Sequence, residues 1–148
     1  MGTLQKLVYI VAESLDLVTS VRRVTSEKLD PNATRETLVV FNLNVKMDEA
    51  ERKDDFVKLN FEIMLDSDPA IVNFIVDGST TLRGDAHTIE KMLSPDPQTQ
   101  VPQVFTRIYQ QVYSVVFLLA GTLNVPYPSP ALLKRIHVQT AIPDQIQR

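Results

Sequence analysis

Two stretches of the chain alternate apolar and polar residues with a period of two. In TLVVFNLNVKM (37–47), Val39, Phe41, Leu43, Val45 and Met47 fall on one side and Asn42, Asn44 and Lys46 on the other. In FVKLNFEIML (56–65), Val57, Leu59, Phe61, Ile63 and Leu65 oppose Lys58, Asn60 and Glu62. Period two gives each strand one apolar and one polar face. The charged stretch DEAERKDD (48–55) reads as a solvated connection, so the pair predicts an antiparallel hairpin. AIVNFIVDGSTTL (70–82) follows the turn DSDP (66–69) and predicts a further strand. LQKLVYIVAESLDLV (4–18) fits either period: Leu4, Leu7, Val8, Val11, Leu15 and Val18 have helical spacing, while LVYIV is β-branched and aromatic. The expectation is a strand, giving a four-stranded antiparallel meander with one face to be covered.

The cover follows in the sequence. A short helix is expected over 87–93, broken by SPDPQTQ (94–100). In VPQVFTRIYQQVYSVVFLLAG (101–121), Val104, Phe105, Ile108, Val112, Val115, Val116 and Leu119 form a stripe at helical spacing, with Pro102 in the first turn. Gly121 is expected just past the end, where a left-handed residue is favoured. Ser129 and Pro130 then open a short last helix carrying Leu132, Leu133 and Ile136. The tail QTAIPDQIQR (139–148) reads as polar and loose. Strands first and helices last predict one α+β domain over residues 1–148.

Composition excludes more than it suggests. A chain of 148 residues buries roughly 68–70% of its unfolded surface and needs no metal or disulfide. A net charge of −3, with Arg22–Arg23 as its adjacent arginine pair, gives no footprint for nucleic acid. With no cysteine there is no disulfide, thiolate or cysteine metal site, which fits a reducing, cytoplasmic setting. MGTLQK begins neither a signal peptide nor a good myristoylation site, since position 6 is Lys. The apolar run VVFLLA (115–120) is far short of a bilayer span, so no membrane insertion is expected. The sequon Asn32-Ala33-Thr34 matters only in a secreted protein.

The usual chemistry is missing. Glycines at 2, 78, 84 and 121 allow neither phosphate-cradling motif, and there is no GxSxG elbow. His87 and His137 fall in no metal-binding spacing and read as surface or helix-end residues. Asp48, Glu49, Glu51, Asp54 and Asp55, interleaved with Arg52 and Lys53, read as a solvated turn. No catalytic residue, metal or cofactor is expected, and the chain is read as not an enzyme. Tyr109, Tyr113, Phe117 and Leu118 lie off the stripe of the long helix. A helix apolar nearly all round is buried on two sides, and these four are the expected oligomer interface.

The segment VFTRIYQQVYSVVFLLAGTLNVPYPSPALL resembles the end of the SecB chaperone family, with Gly121, Thr122, Leu123 and Pro130 carrying the likeness. Four strands with a charged hairpin match in order, and VYIVAESLDL is similar to the family's opening strand. The resemblance covers about residues 7 to 136. It implies a SecB-like sheet backed by helices, a homotetrameric dimer of dimers, and grooves that hold unfolded polypeptide by apolar burial without ATP. Leu123, Val125, Tyr127, Leu132, Leu133 and Ile136 would then line the groove or its edge. The plainer alternative is that the joint only lets two helices pack on one sheet. The family's link to protein transport, contact with a SecA motor, would fall on Asp16 and Asp77. The Glu13–Asp16 spacing does not reproduce the family's acid pair, so a motor stays open, as does the guarding of antitoxins. A dedicated adaptor for one folded partner is the competing function. An enzyme or small-ligand site would have to draw on Asn42, Asn44, Asn60, Glu62, Arg107 and His137.

Overall fold

The structure, a computed structural model, describes residues 15–135 and 137–140, with side chains as far as Leu132. Strands β1 (Asp16–Lys28), β2 (Val40–Lys53), β3 (Phe56–Asp68) and β4 (Val72–Arg83) precede helices α1 (Ala86–Leu93) and α2 (Gln103–Leu123). A 3-10 helix, Pro130–Arg135, and a short strand β5, His137–Thr140, follow. The sheet order is β1-β4-β3-β2-β5. β2, β3 and β4 form the antiparallel meander that the alternation predicts, and β1 returns to pair antiparallel with β4. β5 adds parallel to β2.

Expectations shift at both ends of the sheet and at the hairpin tip. Most of the strand expected at residues 4–18 lies outside the described residues, and β1 runs on to Lys28 instead. Its second half, TSEK, has no apolar alternation. β1 is an edge strand, and pairing along β4 rather than deep burial makes it a strand. The charged connection at 48–55 is mostly strand, with only Asp54–Asp55 left as a turn. A bulge between Glu49 and Glu51 shifts the register there, leaving Glu49 and Arg52 opposite Leu59 and Val57 on the covered side. Arg52 then bridges Glu49 and Glu90, 2.7 Å away, tying the hairpin tip to α1, and these partners hold its pKa above the ordinary value. Of the tail expected to be loose, Gln139 and Thr140 lie in β5, while 141–148 fall outside the described residues.

The core is one cluster. Phe41, Leu43, Val45 and Met47 of β2, Val57 to Leu65 at alternate positions of β3, and Phe74, Val76 and Leu82 of β4 are buried on one face. α2 lies over β1 and β4, and α1 packs against α2 and β3. Of the predicted stripe, Val104, Phe105, Ile108, Val112 and Val116 are fully buried and form the inner face with Ala120, while Val115 and Leu119 are only partly buried. The helix does not end at Gly121. It runs to Leu123, and Asn124 takes the left-handed cap at φ 54°, its N–H donating to the Ala120 and Gly121 carbonyls. Asn is the non-glycine residue best suited to that region.

The β1–β4 pairing depends on one small residue. A bulge between Val21 and Arg23 shifts the register opposite Gly78. A Cβ at Gly78 would overlap the Ser20 carbonyl oxygen and come within 3.0 Å of the Phe61 ring. The glycine is there for space, not for an unusual backbone angle. We expect Gly78→Ala to cost about 3 kcal/mol, read as a lower urea midpoint at unchanged slope. An unchanged midpoint would mean that β1 is not held in this register.

Candidate functional site

The joint after α2 is built from alternation of a different kind. Val125, Pro126 and Pro128 are buried, while Tyr127 between the prolines points outward. Proline fixes φ and removes the N–H, so the segment holds an extended path with few donors to satisfy. It is fastened at both ends. The Val125 N–H donates to the Ala120 carbonyl at 3.0 Å, and the Tyr109 hydroxyl donates to the Ser129 carbonyl at 3.3 Å. The Asn124 side-chain oxygen accepts from the Arg35 N–H at 3.3 Å, so the β1–β2 connection braces the same corner.

An aromatic series leads from the core to this corner. Phe105, Tyr109, Tyr113 and Phe117 recur every four residues along one side of α2, with neighbouring ring centroids 6.0–6.3 Å apart. Phe117 then meets Tyr127 edge-on at 4.8 Å. Exposure rises along the series: Tyr109 is 2% exposed, Tyr113 is half-buried, Phe117 is 39% and Tyr127 43% exposed. Leu118 beside them is 69% exposed. Large apolar side chains left in water at the end of a rigid joint form a candidate binding surface.

The expected groove and interface residues sort differently once placed. Val125 is fully buried and belongs to the core rather than a groove lining. Leu123 and Leu132 are partly buried against that core. Tyr127 presents itself to solvent, the Leu133 side chain is not described, and Ile136 lies outside the described residues. Of the expected interface, Phe117 and Leu118 are exposed and Tyr113 is partly so, but Tyr109 is shut inside the chain. Tyr109 sits one turn past Phe105 on the buried side, and its hydroxyl bond to Ser129 draws the joint over it. The signal that sequence reading missed is the four-residue aromatic period itself.

The outer face of the sheet is polar and electrically balanced. A recess of about 380 Å³ there is bordered by Arg22, Arg23 and Lys46 against Asp48, Glu62 and Asp77. The bulge places both arginines on this face, and each donates its Nε to a different oxygen of Asp77, at 3.1 and 3.0 Å. Asp77 is 5% exposed, so neither of its oxygens is open to a basic partner. Asp16 is exposed at the start of β1, close to Arg83 in register, and does not join Asp77. Asn42 and Asn44 are exposed, Asn60 and Glu62 line the recess, and Arg107 is exposed on α2. His137 is placed only by its backbone, opposite Asn44. These residues do not converge on a reaction centre. Among the described residues no cluster is suited to a metal ion, and no helix is long and apolar enough to cross a membrane.

Comparison with known proteins bears on the fold. No family model matches the sequence, and no curated protein does. The structure is similar to a SecB-like chaperone of Mycobacterium tuberculosis, Rv1957, solved in complex with a ChAD peptide from the Rv1956 HigA1 antitoxin. The TM-score is 0.53 at 10% identity, covering 86% of this chain and 95% of that one. A Streptococcus agalactiae protein of unknown function aligns with a TM-score of 0.43 at 11% identity, over 78% of this chain and 97% of that one. The chain therefore has a SecB-like α+β fold: an antiparallel sheet with helices packed on one face.

Tyr109 offers a test of the closed corner. Burial pushes its phenol well above the ordinary value near 10, and burial also raises Tyr113, with Tyr127 adding to the effect. The unfolded chain ionises first, so above about pH 10 it binds fewer protons than the native state and stability falls as pH rises. We expect Tyr109→Phe to cost about 1 kcal/mol at pH 8, through the lost bond to Ser129, and to flatten the alkaline decline. Urea midpoints measured from pH 8 to 11 check both parts.

Proposed function

We propose that this protein is an ATP-independent holdase chaperone that grips unfolded or extended polypeptide on the apolar corner formed by α2 and the proline joint. The observation that carries the reading is the exposed Tyr127, held edge-on against Phe117 at the end of an aromatic series rooted in the core. The SecB-like fold supports it, and so does the Mycobacterium tuberculosis neighbour, whose structure holds an antitoxin peptide. Tyr127, with the partly buried Leu123 and Leu132, forms the client side, and Leu133 and Ile136 would extend it. Burial of apolar surface at about 25 cal/mol per Å² grips such clients without reading their sequence. Tyr113, Phe117 and Leu118 form the oligomer side, in a cytoplasmic dimer of dimers. The protein has no catalytic role and uses no cofactor.

Antitoxin-type segments and unfolded proteins bound for export are both within this client class. Delivery to a SecA-type motor through Asp16 and Asp77 has weaker support, because Arg22 and Arg23 already neutralise Asp77. The adaptor reading would put an aromatic hot spot on the open sheet face. Phe56, an aromatic at an outward register position, is buried beneath the Arg83 guanidinium, 4.6 Å from its ring centroid.

The test is suppression of aggregation of a chemically unfolded protein at near-stoichiometric chaperone without nucleotide, with the oligomer sized by light scattering. Tyr127→Ala is expected to weaken binding of the unfolded protein about 5- to 10-fold with the oligomer intact. Leu118→Asp is expected to leave the protomer folded and to reduce oligomer size. A Tyr127→Ala variant that protects as well as the parent would sink the groove assignment.

A further inference from the structure

From Ile108 to Leu133 the sequence holds no charged side chain, so all of α2 after Arg107 and the whole proline joint carry no charge of their own. The last turn of α2 has no basic residue. It still ends in carbonyls whose aligned dipoles amount to roughly half a negative charge. The cation that meets this end comes from another part of the chain. Arg35, in the β1–β2 connection, gives its backbone N–H to the Asn124 side chain at 3.3 Å. Its guanidinium lies against Gly121, where a Cβ would stand 3.4 Å from Arg35 Nη2.

This places Arg35 beside the client side. Phe117 and Gly121 are four residues apart on one side of α2, about 6 Å from each other. Tyr127 rests edge-on against the first and the Arg35 guanidinium against the second, so ring and cation flank successive turns. The connection that carries Arg35 is held firmly. The Leu29 N–H donates to the Ile71 carbonyl at 2.8 Å, and Ala33 is buried in the core. The Thr37 N–H donates to the Thr34 carbonyl at 3.0 Å, and the Thr34 N–H donates to the Thr37 hydroxyl at 2.9 Å. Arg35 itself is exposed. Among the described residues no carboxylate stands within ion-pair distance of it, Asp30 and Glu36 of the same connection included. Its guanidinium donors are therefore open to a ligand.

We propose that Arg35 makes the client corner selective for extended segments that carry a carboxylate beside their apolar residues. The inference rests on the client-binding reading and adds a charge preference to it. An apolar side chain of the segment packs on Tyr127, and a neighbouring carboxylate accepts from the guanidinium fork. Without Arg35 the carbonyl end of α2 would repel that carboxylate. With it, a full positive charge outweighs the helix end at a place where the joint supplies none. A basic residue brought to the same spot meets like charge. The contact is exposed, so the preference is modest and salt screens it.

The probes are two short fluorescein-labelled peptides of alternating leucine and serine, identical but for one central glutamate or lysine. Their binding to the full-length protein is followed by anisotropy. We expect the parent to hold the glutamate peptide about fivefold more tightly than the lysine peptide at low ionic strength, and the gap to close in about 0.5 M salt. Arg35→Lys is expected to keep the preference in weaker form, Arg35→Met to abolish it and Arg35→Glu to reverse it. Urea midpoints show that each variant is folded. Equal binding of the two peptides by the parent, or a preference that survives in Arg35→Met, overturns the proposal while the client reading stands. If neither peptide binds, and reduced, carboxymethylated α-lactalbumin does not bind either, the client reading falls and the charge preference falls with it.

Discussion

A sheet with one apolar face must be covered, and in this chain a single long helix supplies most of the cover. Val104, Phe105, Ile108, Val112, Val116 and Ala120 of α2 are all removed from water against it. Everything near the candidate site follows from how far that helix can reach. α2 lies over β1 and β4, so the β2 side of the face needs other cover. Ile89 and Leu93 of α1, with Val125 and Leu132 of the joint, join the same core cluster. The joint must leave the helix, turn at Asn124 and place Val125 inward within two residues of the helix end. Prolines suit that task because they fix the path and leave no N–H to bury.

The strands and the inner face of the long helix were legible because burial repeats with the period of the element. Phe41 to Met47 and Val57 to Leu65 alternate in the sequence and alternate in the structure. β1 was less legible because it is an edge strand. Thr19, Ser20, Thr25 and Ser26 need not be apolar when the strand is held by its ladder to β4 and one side is open. β5 had no pattern to read, since four residues cannot display a period, and its place depends on a partner more than ninety residues earlier in the chain. The helix end was misplaced for a local reason: Gly121 is the stronger stop signal, yet Asn124 can adopt the left-handed conformation and lets one more turn form.

The candidate site shows the same division. That the joint is apolar and stiff is plain from Val125, Pro126, Tyr127 and Pro128. Which of these faces water is not, because the side chains are sorted by a tertiary contact. Tyr109 lies twenty residues before Ser129, and their hydrogen bond closes the corner over the Tyr109 ring. That contact turns Tyr109 from a surface candidate into core and fixes the chain on which Tyr127 stands. Asp77 is a parallel case. Its place on the outer face follows from alternation, but its neutralisation depends on a bulge that turns two successive arginines the same way.

The two surfaces assigned to clients and to oligomer contacts are not separate. Phe117 belongs to the outer side of α2 and Tyr127 to the joint, and their rings touch. A group that packs on Phe117 therefore constrains the edge that Tyr127 presents, since an edge-to-face pair has a narrow range of favourable geometry. Rigidity on one side of the contact reduces the ordering that binding must impose on the other. Association through α2 would thus pre-set the client surface rather than merely duplicate it. A lone protomer would hold Tyr127 against a Phe117 ring with one face in water. On the proposed reading, affinity for an extended chain would then belong to the assembly more than to the protomer.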